Sequence, residues 1–134
     1  MRIPSVLHVL GLLLLFLGLA LLVPLGVCPY YGESDWWAFA STIVITEALG
    51  YTFWFRGRGN AGLRVKEGFA VVTFGWVTIS LVGMLPFLIC GAIPSVTDAF
   101  FEAMSGITTT GATVIVNLDS APPGLLLWRA LLQW

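Results

Sequence analysis

Charged residues are scarce in this chain. Only 10% of its 134 residues are Asp, Glu, Lys or Arg, and 58% are hydrophobic. A soluble domain normally carries about 25% charged residues. The mean hydropathy is correspondingly high, at +0.96. This composition excludes an ordinary soluble domain and predicts an integral membrane protein.

Histidine and cysteine are also nearly absent. One histidine (His8) and two cysteines (Cys28 and Cys90) cannot build a zinc site or a Ser-His-Asp or Cys-His constellation, so we expect neither an enzyme nor a bound cofactor. We expect the cysteines to be free and packed, since unpaired buried cysteine behaves as a small hydrophobe. The net charge of −1, without a basic patch interleaved with aromatics, argues against nucleic acid as a partner.

Three long apolar runs are present, at about 6–27, 36–55 and 67–91. Each is long enough to cross a bilayer core of about 30 Å as a helix. A cleaved signal peptide is the alternative for the first run. Its length and the lack of a small-residue cleavage site favour a retained helix. In the third run, Pro86 lies near one end, where a kink is tolerable.

The few charges are distributed unevenly. Four of the six basic residues lie in the glycine-rich loop between the second and third runs: Arg56, Arg58, Arg64 and Lys66. The positive-inside rule places this loop in the cytoplasm. The N-terminus is then inside and the loop 92–97 is outside. Five of the seven acids also lie toward the outside: Glu33, Asp35, Asp98, Glu102 and Asp119.

A short helix is predicted at about 96–105. Ser95 with Asp98 three residues later is a helix start signal. Gly106 is a natural stop, since glycine takes the left-handed conformation without cost. The helix would span about 15 Å, half a bilayer core. Irregular backbone that follows such a helix in a membrane must be buried in protein or line water.

The segment that follows, residues 107–113, is rich in hydroxyls and contains one glycine, and we call it the candidate filter. Backbone carbonyls in such a segment can replace the water shell of a dehydrated monovalent cation. We therefore interpret it as one wall of a selectivity filter. The alternative is a buried strand with satisfied hydroxyls. Asp98 would concentrate cations at the outer mouth. The predicted filter residues are Thr108, Thr109, Thr110, Gly111, Ala112 and Thr113.

A last apolar segment, about 124–134, follows two prolines that favour a helix start. Its length of about 15 Å cannot cross the core, so we expect the chain to be a fragment of a longer protein. Arg129 lies about 8 Å below the start of this helix, and Glu102 about 10 Å down the short helix from the same face. The pair is therefore predicted to support the filter from behind. Failing Glu102, Arg129 would reach carbonyls at the end of the short helix. The alternative is an Arg129 that reaches the outer headgroups.

One further carboxyl, Glu47, lies in the middle of the second run. An intramembrane carboxyl is a functional candidate. The alternative is a protonated or hydrogen-bonded side chain that holds helices together, beside Thr46 and Ser41.

The region from Leu63 to Trp134 resembles the first pore repeat of the membrane subunits of Trk-type potassium-uptake systems, in the Trk/Ktr/HKT cation transporter superfamily. The resemblance rests on Phe100–Val114, with its Thr-Thr-Thr-Gly-Ala-Thr run, on the upstream Leu-Arg-Val-Lys-Glu-Gly-Phe and on the downstream Gly-Leu-Leu-Leu-Trp-Arg. The two extra leading helices match this family more loosely.

The resemblance implies an all-α integral membrane fold. Residues 1–62 would form two leading transmembrane helices, and residues 63–134 a potassium-channel-like unit of helix, pore helix, filter loop and helix, truncated early in its second helix. The implied function is potassium uptake across the cytoplasmic (inner) membrane, with potassium bound by the main chain of Thr109, Thr110 and Gly111. Further repeats of the same chain would complete the pore.

The resemblance also implies a homodimer that binds a cytoplasmic, TrkA-like nucleotide-binding regulatory subunit. Two other functions remain open from the residues alone. One is a subunit of a channel formed by four separate chains, and the other is a membrane scaffold that transports nothing.

Overall fold

The computed structural model describes residues 3–58 and 64–134. Arg2 and residues 59–63 of the predicted basic loop lie outside the described residues. The described part is helical and contains no strand. Its elements are α1 (Ile3–Tyr30), α2 (Trp36–Arg56), α3 (Val65–Gly83), α4 (Leu85–Ile89), α5 (Val96–Ile107), a 3₁₀ turn (Leu118–Ser120) and α6 (Pro123–Gln133).

Three segments are long and apolar enough to cross a membrane: Ile3–Tyr30, Trp36–Arg56 and Val65–Ile89. They correspond to the three predicted runs, and the described chain is an all-α membrane protein. Many of its large apolar side chains are exposed, among them Phe16, Phe69 and Phe74. Exposure of this kind suits a surface that faces lipid or further protein.

Helices α1 and α2 run antiparallel and approach closely at glycines. A Cβ placed on Gly11 would lie 2.7 Å from the carbonyl oxygen of Gly50, and one placed on Gly50 would lie 3.1 Å from Leu14 Cβ. Gly57, immediately after the C-terminal end of α2, packs against the backbone of His8. Small residues allow two helix backbones to approach in this way, as is common in membranes.

The third predicted helix is interrupted. Instead of one helix over 67–91, α3 ends at Gly83, Met84 connects it to α4, and α4 ends at Ile89. Pro86 explains the interruption, because proline has no N–H to donate and its ring crowds the carbonyl four residues earlier. The indole N–H of Trp128 in α6 donates to the carbonyl oxygen of Gly83 at 2.9 Å, beside this break.

The core lies where α1, α2, α4, α5 and α6 meet. Its largest fully buried apolar side chains are Trp128, Phe39, Phe87, Leu14, Leu21 and Leu125. Cys28 is buried and Cys90 is half-buried, and both thiols are free, as predicted. The core thus joins the two leading helices to the region that contains the candidate filter.

Candidate functional site

Helix α5 begins at the predicted signal. The hydroxyl of Ser95 accepts a hydrogen bond from the backbone N–H of Asp98 at 3.3 Å. The helix has 12 residues, or about 18 Å. One face is buried, and it comprises Ala99, Glu102, Ala103, Ser105 and Gly106.

The predicted stop at Gly106 is wrong. The helix continues to Ile107, and the first left-handed residue is Thr109, with φ of 56°. Gly106 instead faces α6, where a Cβ would lie 3.1 Å from Leu132 Cβ. Its lack of a side chain permits close packing of two helices and does not end one.

The chain turns sharply after α5. The backbone N–H of Thr109 donates to Gly106 O at 2.9 Å, and that of Thr110 donates to Ser105 O at 3.0 Å. Gly111 is left-handed as well, with φ of 77°. A left-handed β-branched residue such as Thr109 costs of order 1–3 kcal/mol and persists only where its surroundings impose it. The predicted irregular backbone is therefore present from Thr108 onward.

Side chains of the candidate filter are exposed from Thr108 to Thr113. Two backbone oxygens predicted to bind the cation, those of Thr109 and Thr110, accept no hydrogen bond from the described part of the chain. Gly111 O accepts one from Arg129 Nη2 at 3.3 Å. Ala112 O accepts one from the Ser105 hydroxyl at 2.6 Å. Sequence reasoning missed Ser105, which fixes the end of this segment against α5.

Glu102 binds the C-terminal end of the candidate filter. Its side chain is fully buried. The carboxylate accepts hydrogen bonds from Thr113 Oγ1 at 3.0 Å and from the backbone N–H of Val114 at 2.9 Å. Thr113 Oγ1 in turn accepts from the N–H of Ile115 at 3.1 Å. Glu102 thus holds the segment where it leaves the candidate filter.

Arg129 makes the predicted contact with Glu102. Its Nε donates to Glu102 Oε1 at 2.5 Å, and the arginine side chain is only 19% exposed. A buried carboxylate therefore has a cationic partner, as burial of charge requires. The alternative in which Arg129 extends to the headgroups is excluded by this geometry. Through Gly111 O, the same guanidinium also contacts the backbone of the candidate filter.

Asp98 is exposed, and it lines a cleft of about 400 Å³ together with Asn117, Ser120 and Pro122. Its role at the outer mouth stays a prediction.

Glu47 packs against Gly18 of α1 and is half-buried. Both interpretations of Glu47 stay predictions.

A carboxylate that the sequence did not single out also reaches this region. Glu33, in the loop between α1 and α2, accepts from the backbone N–H of Gly124 at 3.3–3.4 Å. The two residues are 91 positions apart, and no local sequence signal links them. Within the described residues, no group of three or more His, Cys, Asp or Glu side chains could hold a metal ion.

Three segments that can span a membrane, with a half-length helix packed against α3 and α6 and followed by an irregular segment, define a multi-pass all-α membrane protein. Residues 37–134 match the TrkH family, described as cation transport protein. The chain belongs to the TrkH family of cation transport proteins, which are transporters rather than enzymes.

The similar proteins are potassium-uptake proteins. The chain is 37% identical to the Trk system potassium uptake protein TrkH of Escherichia coli K12 and 39% identical to that of Vibrio parahaemolyticus. Each comparison covers 100% of this chain and 28% of the relative. The crystal structure of the potassium transporter TrkH from Vibrio parahaemolyticus superposes with a TM-score of 0.93 at 39% identity. That comparison covers all of this chain and 29% of the solved one.

Proposed function

We propose that this chain forms the leading helices and first pore repeat of a longer protein that takes up potassium. The relatives it matches are potassium-uptake proteins, and it spans 28% of their length. That proportion favours several repeats in one chain over a channel of four short chains. The family membership disfavours a scaffold that transports nothing.

The turn at Gly111 is the observation that supports the filter best. It is left-handed, exposed and preceded by two backbone oxygens, of Thr109 and Thr110, that no described residue engages. Free carbonyls on an exposed, fixed backbone are the ligands that a dehydrated potassium ion requires. Potassium is the transported substrate here, held by the main chain of Thr109, Thr110 and Gly111, and we propose that the segment uses no cofactor.

The location follows from charge and from the family. We propose the cytoplasmic membrane, with the N-terminus inside and the candidate filter open to the outside. The described basic residues of the loop after α2 support this orientation. A homodimer that binds a TrkA-like regulatory subunit at its inner face is part of the same proposal, and it rests on the resemblance alone.

Substitution of Gly111 in the complete transporter tests the filter. Serine at a left-handed position is strained, and a Cβ there would lie 3.3 Å from Gln133 Nε2. We expect Gly111→Ser to lower the ratio of rubidium to sodium flux in reconstituted vesicles while membrane insertion is kept. Gly91→Ser is the matched control, because Gly91 has the same φ of 77° with no atom within 4 Å of its Cβ position. A Gly111→Ser transporter with the ion discrimination of the parent would refute the filter.

A further inference from the structure

Helix α6 begins with a donor that its own segment cannot satisfy. The first four N–H groups of a helix have no partner within it. Here Pro122 and Pro123 carry no N–H, and the N–H groups of Leu125 and Leu126 donate to Pro122 O at 3.0 and 3.1 Å. Pro122 also has no side chain that could cap the helix. The N–H of Gly124 is therefore the unsatisfied one.

Glu33, in the loop between α1 and α2, supplies the acceptor for this N–H. Both of its carboxylate oxygens lie 3.3–3.4 Å from Gly124 N. A carboxylate at a helix N-terminus also interacts favourably with the helix dipole. The approach depends on glycine, because a Cβ at position 124 would lie 2.6 Å from Cys28 Sγ and 3.0 Å from Glu33 Oε2.

The same helix presents Arg129 to the candidate filter. Arg129 lies five residues after Gly124, or about 7.5 Å along the helix axis. It donates to Glu102 and to Gly111 O. A shift or rotation at the first turn of α6 moves both contacts, since an α-helix of 11 residues is rigid on this scale.

We propose that Glu33 is a positioning residue for ion selection. By holding the first turn of α6, its carboxylate fixes the place of Arg129 against Glu102 and the Gly111 carbonyl. The loop between the two leading helices thereby acts on the geometry of the candidate filter through α6. This inference rests on the proposed function as a selective potassium pathway.

Two variants of the complete transporter test the cap, and a third is the control. Glu33→Ala removes the acceptor, whereas Glu33→Gln keeps an acceptor oxygen and removes the charge. Asp35→Asn makes the same change in charge on the same loop, and the Asp35 carboxylate accepts a hydrogen bond from the Ser34 hydroxyl of that loop rather than from α6. In amide hydrogen exchange, peptides that cover residues 123–130 should exchange about five-fold faster in Glu33→Ala, the factor expected for loss of one cap. Glu33→Gln should lie between Glu33→Ala and the parent, and Asp35→Asn should match the parent.

The selectivity measurement separates positioning from mere stabilisation. The ratio of rubidium to sodium flux does not depend on how much protein has inserted. We expect it to fall in Glu33→Ala and to fall less in Glu33→Gln, with no change in Asp35→Asn. Unchanged exchange in Glu33→Ala would overturn the cap. Faster exchange with an unchanged flux ratio would overturn the positioning role.

Failure of the proposed function gives a different pattern. If Gly111→Ser retains the discrimination of the parent, the filter assignment fails, and the positioning role fails with it whatever the exchange data show. If Gly111→Ser loses discrimination while the Glu33 variants keep it, only the inference about Glu33 fails.

Discussion

Glu102 is a charged side chain that is fully buried. Its buried carboxylate is held by Thr113, by the N–H of Val114 and by Arg129. A buried ion pair is weak evidence of net stability, but removal of one partner leaves an uncompensated charge. The contribution of the Arg129–Glu102 pair to the free energy of unfolding is therefore best measured by substituting each residue singly and then both together.

We expect Arg129→Gln to destabilise the protein by about 3 kcal/mol, because the buried Glu102 carboxylate loses its cationic partner. The double variant Glu102→Gln/Arg129→Gln should recover part of that loss, since no buried charge then lacks a partner. Thermal unfolding of the purified transporter in detergent measures the loss of stability in Arg129→Gln and the recovery in the double variant. Equal stability of Arg129→Gln and the parent would show that the pair contributes nothing.

At the scale of the elements, glycines determine how closely α1 and α2 pack. Gly11 contacts the backbone of α2, whereas Gly26 on the same helix has no atom within 4 Å of its Cβ position. A methyl group at Gly11 must separate the helices, but one at Gly26 meets empty space.

Gly11→Ala is accordingly expected to destabilise the protein by about 1–3 kcal/mol, the usual cost of an overpacked contact. Gly26→Ala should be neutral or slightly stabilising, because alanine favours the helix over glycine. Thermal unfolding of the two variants side by side tests this. A result in which both behave alike would contradict the packing role of Gly11.

The helices were predictable because their signals are local. Apolar runs and the Ser95 start signal predicted every long helix, although α1 extends from Ile3 to Tyr30 rather than over 6–27. Gly106 shows where such reasoning fails, since a glycine that ends a helix and one that admits a neighbouring helix look the same in sequence. The Arg129–Glu102 contact could be predicted from depth because both residues lie on helices that start near one face. The Glu33–Gly124 contact could not, since it joins a loop to a helix end across 91 residues.

At the scale of the whole molecule, the distribution of charge predicts the orientation. Single cysteines introduced at Arg58 and Asp119, in a protein without Cys28 and Cys90, report the two faces. Burial raises the pKa of the Cys90 thiol above its ordinary value of 9.0. Its thiolate, the reactive form, is therefore rare at neutral pH.

We expect an impermeant maleimide added outside intact cells to label Asp119→Cys and not Arg58→Cys. Opening the cells should make Arg58→Cys reactive, because the basic loop then becomes accessible. Labelling of Arg58→Cys from outside would show that the assigned orientation is wrong. The candidate filter would then lie on the cytoplasmic side.

The cap on α6 also has an evolutionary consequence. A descendant that lost the two leading helices would at first have Pro122 and Pro123 and no carboxylate for the Gly124 amide. We expect such a lineage to replace Pro122 by Ser, Thr, Asp or Asn, which cap a helix from within their own segment. The Pro-Pro-Gly sequence and the acidic residue of the first loop should therefore be inherited together and lost together.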